Sequence, residues 1–486
     1  MWAFIALAVI GVILVITGGV LIPVFHKVIH NKIEKGVMLK NDSDAFHTWR
    51  DPPAKVYMNF YVYDIVNRAE IMKNGSKPVL EQKGPYVYEE IRNKEKVHFS
   101  ANGTLLSYME TKSYVFVPSK SNGSETDKFT GLNLLFVSFP TSFQYFISYM
   151  LSITDEELMQ EFSVESYIFG YEDHLLKKFQ DFCLKIFKRK CSLIEDRVGL
   201  FATGNGTADG VYSIHTGSDN ISSISSIETW NGNRTLNFWN TSYCNMINGS
   251  VGTDWHPFIE DDERLYLFSS DICRSIYLTK TSAYSLNDKI HVKRFSPPAD
   301  VFADPRENPD NRGFCTGKCL KAGVIDVRKC KSGIPVVMSL PHFFNGDKEY
   351  QTDVIGMKPD EKKHQTLIDV EPLTGAVFNA RKRLQINMRI THSNVVSASK
   401  KLKDGIIFPL LWLEEEATIT NTGVDDFVKQ VYRPMKMTTA IHWGILGLGV
   451  LLLLVAIVVI IVIVSRRKKD GSERSDLITH VDEGDQ

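Results

Sequence analysis

The residue types that usually carry catalysis are scattered along this chain without forming a recognised catalytic pattern. The sequence has no Gly-x-Ser-x-Gly nucleophile motif, no His-Glu-x-x-His zinc motif and no glycine-rich phosphate loop. Its 13 histidines are dispersed. Two alternative classes of two-span protein can be compared with the sequence. An ectonucleotidase would have a phosphate loop, and a channel would have more lumenal cysteines. We therefore predict a protein that is not an enzyme, with no catalytic residues, no metal and no cofactor.

A different chemistry, the attachment of carbohydrate to asparagine, is indicated by nine Asn-x-Ser/Thr sequons. A single sequon is weak evidence, but nine in one region favour a lumenal or extracellular domain. The predicted glycosylation sites are Asn41, Asn74, Asn102, Asn122, Asn205, Asn220, Asn233, Asn240 and Asn248.

The C-terminal residues suggest a sorting signal. Glu473 lies four positions before Leu477 and Ile478, which is the form of an acidic di-leucine signal recognised by clathrin adaptor proteins. The basic cluster at residues 465–469 directly follows an apolar run, and such clusters normally stay on the cytosolic side of a membrane. The tail is therefore expected to face the cytosol.

Two apolar runs, residues 2–25 and 439–464, contain no Asp, Glu, Lys or Arg. As helices they would be about 36 Å and 39 Å long, enough to cross a hydrocarbon core of about 30 Å. A cleaved signal peptide is the alternative for the first run, but it lacks a basic start and a small-residue cleavage site. We predict two spans with both termini in the cytosol. The predicted segments are a span at 1–25, a lumenal domain at 26–438, a span at 439–464 and a cytosolic tail at 465–486.

The domain between the spans is predicted to be mainly β. Residues 56–63, 84–90 and 105–117 alternate in polarity or are rich in aromatic and β-branched residues, as strands are. Residues 366–370 and 376–390 flank a short link that contains Pro and Gly, which predicts a hairpin.

Residues 142–190 depart from this β pattern and predict a helical insertion. Apolar side chains recur there at helical spacing, and a later stripe carries several lysines. An ordinary solvated helix face is the simpler interpretation, and a ligand-docking face is the alternative. The candidate docking residues are Phe143, Phe146, Ile147, Met150, Leu151, Lys177, Lys178 and Lys185.

Composition sets further limits on partners and stability. The chain has 56 basic and 57 acidic residues, so a nucleic acid or another polyanion is not expected as its main partner. Seven cysteines are few for 486 residues. A hydrophobic core must therefore supply most of the stability.

Several blocks resemble the class B scavenger receptor family, and in their order they cover essentially the whole chain. The resemblance implies an α+β fold: a large antiparallel β-barrel-like ectodomain with an apical helical bundle and an internal apolar tunnel, flanked by two transmembrane helices. The blocks are Gly84-Pro-Tyr-Val-Tyr-Glu-Glu90, Asn205-Gly-Thr-Ala-Asp-Gly210, Trp230-Asn-Gly232, Cys244-Asn-Met-Ile-Asn-Gly-Ser250, Phe268-Ser-Ser-Asp-Ile-Cys-Arg-Ser-Ile-Tyr277, Gly333-Ile-Pro-Val-Val-Met-Ser-Leu-Pro-His-Phe343 and Asp369-Val-Glu-Pro-Leu-Thr-Gly375.

The resemblance also implies how the cysteines pair. A zinc site formed by Cys315, Cys319 and Cys330 is an alternative, but it lacks a nearby fourth ligand. The implied disulfides are Cys273–Cys330 and Cys315–Cys319. Cys183 and Cys191 have no counterpart in the family pattern, and a local pair between them is a separate expectation from their positions in the insertion. Cys244 is then left over and is expected to be a buried free thiol.

Within the family, the tail resembles that of the lysosomal branch. The fatty-acid-translocase branch has cysteines in its tails and an additional cysteine at the position of Gly313, and this chain has neither. One departure is the segment 479–486 after Ile478, which is longer than the lysosomal branch usually has.

These features lead to a functional expectation. The resemblance implies a receptor of the lysosome membrane, with endosomes and the cell surface as further locations, whose apex binds a lysosomal hydrolase such as an acid β-glucosidase. It also implies binding or transport of lipids such as cholesterol or phospholipid through the tunnel, near Phe343 and Phe344. A cell-surface scavenger receptor for lipids and lipoproteins is the alternative, and a homo-oligomer is compatible with either. His174 is the apical histidine that could make binding pH-dependent.

Overall fold

A computed structural model of the chain describes residues 2–138, 157–172, 197–202, 204–315, 317–392 and 397–482, together with residues 145, 148, 149, 177, 178, 181, 184 and 185. It divides into two compact units. The first contains residues 1–35 and 421–486, and the second contains residues 36–420.

The α-helices of both units have the following bounds: α1 Trp2–Val37, α2 Asp44–Arg50, α3 Arg68–Asn74, α4 Leu134–Ser138, α5 Val164–Phe169, α6 Lys348–Thr352, α7 Glu361–His364, α8 Asn421–Phe427 and α9 Arg433–Asp482. A π-helical turn at Val428–Tyr432 joins α8 to α9.

The strands all belong to the second unit: β1 Val56–Ile65, β2 Leu80–Phe99, β3 Leu105–Phe116, β4 Lys128–Leu132, β5 Met159–Ser163, β6 Thr207–His215, β7 Ile227–Trp230, β8 Leu265–Ser269, β9 Arg274–Leu286, β10 Ile290–Ser296, β11 Val324–Asp326, β12 Val336–Ser339, β13 Leu367–Val370, β14 Val377–Ile390 and β15 Ile406–Thr418.

The first unit consists of two long apolar helices. The segments Trp2–Val37 and Asn421–Lys469 are long and apolar enough to cross a membrane. They pack closely, because a Cβ atom on Gly449 would lie 2.8 Å from the backbone nitrogen of Val15. Both helices extend beyond the predicted spans, since helical hydrogen bonding does not require the apolar composition that the membrane core requires.

The second unit is built on one large antiparallel sheet. Its strands follow the order β7-β6-β3-β2-β1-β15-β14-β13-β10-β9-β8, with β12 and β11 added beside β14. β1, β2 and β3 lie where the three strands were predicted, and β13 and β14 form the predicted hairpin. The α+β fold class with a nearly closed antiparallel sheet is confirmed.

A continuous hydrophobic core fills much of this sheet. Phe60, Val62 and Leu411 from the adjacent strands β1 and β15 have no exposed surface. The small ladder of β4 and β5 packs into the same core through Phe129 and Phe162.

The cysteines have definite states in the described part of the second unit. Disulfides join Cys273 to Cys330 and Cys315 to Cys319, the two pairs that the family resemblance implies. The pairing leaves none of these thiols free to bind zinc. Cys244 is a buried free thiol, and Cys183 and Cys191 lie outside the described residues.

Cys244 lies against a position that could supply a partner. A Cβ atom on Gly313 would lie 2.6 Å from Cys244 Sγ, with Thr241 also in contact. We predict that Gly313→Cys forms a third disulfide with Cys244. The cross-link would stabilise the fold by up to about 4 kcal/mol, because it restricts the unfolded chain. Thiol titration and thermal unfolding with and without reductant measure the effect.

Gly313→Ser is the matched control, because it adds a side chain of similar size that cannot form the bond. We expect it to lower the unfolding temperature through crowding of Thr241 and Cys244. A titration that finds at least as many free thiols in Gly313→Cys as in Gly313→Ser would contradict the predicted bond.

Candidate functional site

The predicted helical insertion is described only in part. Phe143, Phe146, Ile147, Met150 and Leu151 lie outside the described residues. Lys177, Lys178 and Lys185 are helical and exposed, and Lys177 forms an ion pair with Glu172.

The insertion also exposes aromatic residues that the sequence analysis did not select. Tyr145 and Tyr149 are 78% and 61% exposed, and Leu184 is 45% exposed. The two tyrosines are four residues apart, so they lie on the same side of a helix. That spacing is visible in the sequence, but the predicted docking residues are the Phe143–Leu151 stripe and three lysines. Exposed tyrosines are enriched in protein-binding surfaces, whereas lysines are depleted there.

The insertion consists of two segments, residues 133–158 and 172–197, and the two residues that flank each segment form an antiparallel contact. Leu132 pairs with Met159 at the end of the β4–β5 ladder. Tyr171 and Val198 exchange two backbone hydrogen bonds of 3.0 Å. The insertion therefore begins and ends at fixed points of the sheet unit.

An aromatic cluster lies beside these fixed points. The rings of Phe60 and Phe201 are 5.3 Å apart, and those of Tyr114 and Phe169 are 5.4 Å apart. Phe60 is fully buried, whereas Tyr114, Phe169 and Phe201 keep part of their surface accessible.

A second feature of the interior is a cluster of paired charges. Arg92 donates to Glu415 at 2.6 Å and to Glu90 at 2.7 Å. Lys382 Nζ lies 2.5 Å from Asp271 Oδ2 and 3.8 Å from Glu415 Oε2. The register of β14 and β15 places Lys382 opposite Glu415. Lys382, which lies on the second strand of the predicted hairpin, thus has two carboxylate partners.

The cations keep the carboxylates ionised. The charge of Lys382 lowers the pKa of Asp271 far below its usual range, although burial opposes the shift. Burial also disfavours the charge on Glu415, but Arg92 and Lys382 outweigh it and lower the pKa of that group. Both carboxylates therefore remain charged in moderately acidic solution.

The cluster is open to solvent at one end. The side chains of Lys382 and Asp271 are 35% and 50% exposed, whereas that of Glu90 has no exposed surface. The pairs therefore run from a buried carboxylate to a hydrated one.

Phe343 and Phe344, the predicted tunnel residues, lie in a turn after β12. Phe343 is fully buried against Val337, Tyr350 and Ile407, so it is a core residue, while Phe344 is half-buried. A surface cleft has a volume of about 470 Å³ and a mainly polar lining, formed by Gln82, Lys83, Gly84, Tyr86, Asn122, Asp127 and Lys128. Because this cleft is polar, the lining of a tunnel by apolar residues stays a prediction.

His342, in the turn after β12, packs against His364 at the end of α7, and both histidines are buried. The rings of His342 and His364 stack with centroids 4.5 Å apart. The Nδ1 atom of His342 accepts a hydrogen bond from the Lys358 N–H at 3.1 Å, and that of His364 accepts from the Asp360 N–H at 2.9 Å. A ring nitrogen that accepts must be unprotonated, so both rings are held neutral.

The surroundings of the pair reinforce this neutral state. Burial lowers the pKa of His342 to about 3, helped by His364, Lys358 and Lys363. Burial also lowers the pKa of His364 to about 4, although Asp360 opposes the shift. His342 lies in a left-handed turn, with φ at +53°. Its neutral ring attaches this turn to the sheet, because His342 Nε2 lies 2.7 Å from Oε1 of Gln82 on β2.

The predicted glycosylation sites are distributed over the second unit. Eight of the nine asparagines are exposed, and Asn248 is half-buried. The side chain of Asn240 is engaged, since its amide nitrogen donates to the carbonyl oxygen of Cys315 at 2.7 Å and its oxygen accepts from Lys329 at 2.7 Å.

A large sheet domain between two apolar terminal helices defines the class of a two-span membrane protein. Residues 9–460 match the model of the CD36 family, and the chain belongs to that family. It is 35% identical over 435 residues to lysosome membrane protein 2 of Rattus norvegicus and 36% identical over 443 residues to that of Homo sapiens, each covering 88% of both chains. It is 32% identical over 458 residues to scavenger receptor class B member 1 of Rattus norvegicus, covering 93% of this chain and 88% of the relative. Members of the family are receptors, so the chain is a receptor and not an enzyme.

The histidine pair predicts a loss of stability in acid. In the unfolded chain a histidine has a pKa near 6.5, so it takes up a proton below that pH, while the buried rings stay neutral. Proton uptake therefore favours the unfolded state. The stability is lost as the pH falls from 6.5 towards the folded-state pKa, which is about 4 for His364 and about 3 for His342. By pH 4 each ring should lower the free energy of unfolding by about 3 kcal/mol. Denaturant unfolding of the full chain in detergent at pH 7, 5 and 4 measures this loss.

His364→Asn should flatten the pH dependence by about half, since asparagine can accept the Asp360 hydrogen bond without titrating. His291→Asn, at an exposed position of β10, is the control and should leave the dependence unchanged. An unaltered pH dependence in His364→Asn would show that the pair is not its source.

Proposed function

We propose that this chain is a receptor of the lysosome membrane that binds a lysosomal hydrolase through its helical apex. The observation that carries the proposal is the exposure of Tyr145, Tyr149, Lys177 and Lys185 on one insertion. The similarity to lysosome membrane protein 2 supports the compartment. An acid β-glucosidase-like enzyme is the cargo that the family resemblance suggests.

The proposed topology places residues 26–438 in the lumen and both termini in the cytosol. Two candidate spans support two membrane crossings. Eight exposed sequon asparagines support a domain that glycosylation enzymes can reach. The tail at 465–486 would then offer Glu473, Leu477 and Ile478 to clathrin adaptors.

Lipid binding or transport is a second candidate function, either beside cargo binding or as the main role of a cell-surface receptor. The observation that favours it is the group of partly accessible aromatic residues Tyr114, Phe169 and Phe201, which pack against the main core. The similarity to scavenger receptor class B member 1 is consistent with this role.

The tail proposal predicts that Leu477→Ala with Ile478→Ala moves the receptor from lysosomes to the cell surface. The double variant removes the two apolar side chains that an adaptor would bury, and it leaves the basic cluster at 465–469 intact. Imaging and surface biotinylation measure the shift. Thr479→Ala with His480→Ala is the matched control, and equal lysosomal residence of all three proteins would exclude the tail as the address.

The apex proposal predicts that Tyr145→Ser with Tyr149→Ser, or Lys177→Glu with Lys185→Glu, weakens cargo binding about tenfold or more, as loss of central interface residues usually does. Binding of the full receptor in detergent to an acid β-glucosidase measures the effect. Lys348→Glu with Lys362→Glu, at exposed positions in α6 and α7, is the charge-matched control for the lysine variant.

The same assay at neutral and acidic pH tests His174, which lies outside the described residues. We expect weak pH dependence, or a dependence that His174→Gln removes. Unchanged affinity in both apical double variants would place the cargo site elsewhere.

A further inference from the structure

A cluster of exposed and partly exposed tyrosines beside β8 and β9 has no role in the proposed cargo or lipid functions. Tyr266 lies on β8, Tyr277 on β9 and Tyr243 in the short turn Tyr243–Asn245, close enough to the other two to interact electrostatically. Tyr243 and Tyr266 are 48% and 38% exposed. The ring of Tyr266 lies 6.0 Å from that of Tyr277, and the Arg264 guanidinium lies 4.5 Å above the Tyr277 ring. We call Tyr243, Tyr266, Tyr277 and Arg264 the tyrosine patch. Exposed aromatic groups of this kind are usually covered by something.

The sequon at Asn248 lies beside this patch. Tyr266 and Tyr277 face each other across the two strands, as do Phe268 and Ser275. The segment that contains Asn248 crosses the strands at this point, because Asn248 N–H donates to Ser275 Oγ at 2.8 Å and Ser250 N–H donates to the Tyr266 carbonyl at 3.3 Å. The Ser250 carbonyl also accepts from the Phe268 N–H at 2.9 Å. The segment thus bonds to the backbone of both residues, and the side chain of Phe268 is buried whereas that of Tyr266 remains exposed.

The side chains of two neighbouring sequons differ. Among the described residues, the Asn248 amide group has no hydrogen-bond partner, whereas the amide nitrogen of Asn240 is held by the carbonyl of Cys315. A sugar on Asn248 could therefore adjust its direction without breaking a contact, while a sugar on Asn240 would displace one.

We propose that the tyrosine patch binds the proximal N-acetylglucosamine residues of a glycan on Asn248. The apolar C–H face of such a sugar packs on aromatic rings, and its hydroxyl and amide groups can hydrogen-bond to Tyr hydroxyls and to Arg264. The glycan shields the apolar rings of Tyr243 and Tyr266 from water.

This inference rests on the proposed lumenal placement of the domain, because only a lumenal Asn248 can receive a glycan.

The first experiment labels tyrosines in the full chain, purified in detergent from glycosylating cells, and follows each site by mass spectrometry. Tyr266 and Tyr243 should react several-fold more slowly in the wild type than in Asn248→Gln. Tyr145, exposed in the apical insertion, is the internal reference and should react equally. Asn102→Gln, at the β2–β3 turn, removes a remote glycan and should change neither patch tyrosine.

Enzymatic removal of glycans from the folded wild type makes the same comparison without a substitution, so a folding defect cannot imitate the result. In the reverse experiment, Tyr266→Ala should speed amidase release of the Asn248 glycan several-fold from the native protein and leave release from Asn102 unchanged.

Equal labelling of Tyr266 with and without the Asn248 glycan would overturn the proposal. So would an unmodified Asn248 in a protein whose other sequons carry glycans. Absence of glycan from every sequon would instead overturn the lumenal topology on which the proposal rests.

Discussion

Charges inside a sheet must be neutralised where they lie, and this constraint organises the interior of the second unit. Breaking a buried ion pair typically costs about 3–5 kcal/mol. Arg92 joins β2 to β15 through Glu415, while Lys382 joins β14 to the turn that carries Asp271. The strands that bring these groups together are distant in sequence, so the pairs fix the register of the central sheet.

Buried titratable groups of two kinds would respond differently to an acidic compartment. The paired carboxylates have lowered pKa values and remain charged, so their contribution to stability persists well below neutral pH. The neutral pair His342–His364 has lowered pKa values as well, but for histidine this means that stability is lost on acidification. The sheet is therefore resistant to acid, while the turn at His342 and the helix that ends at His364 are the acid-sensitive parts.

The sequence predicted the features that depend on local patterns. Alternation identified β1 and the β13–β14 hairpin, and the apolar runs identified the two long terminal helices. It could not explain Lys382, because the partner Asp271 lies 111 positions away. The stacking of His342 on His364 depends on a left-handed turn that side-chain periodicity does not reveal. Tyr145 and Tyr149 were not predicted, because buried apolar residues and exposed aromatic residues recur at the same helical spacing. The spacing alone does not show which set is exposed.

The closed bases of the insertion affect how this protein can diversify. Because Leu132 meets Met159 and Tyr171 meets Val198, the two ends of each segment of the insertion lie side by side. Leu134, Val137 and Leu158, just inside the first pair, belong to the main core, so a transplanted apex must keep them. Exchanging the residues farther from these anchor pairs is then a direct route to a receptor with a new specificity.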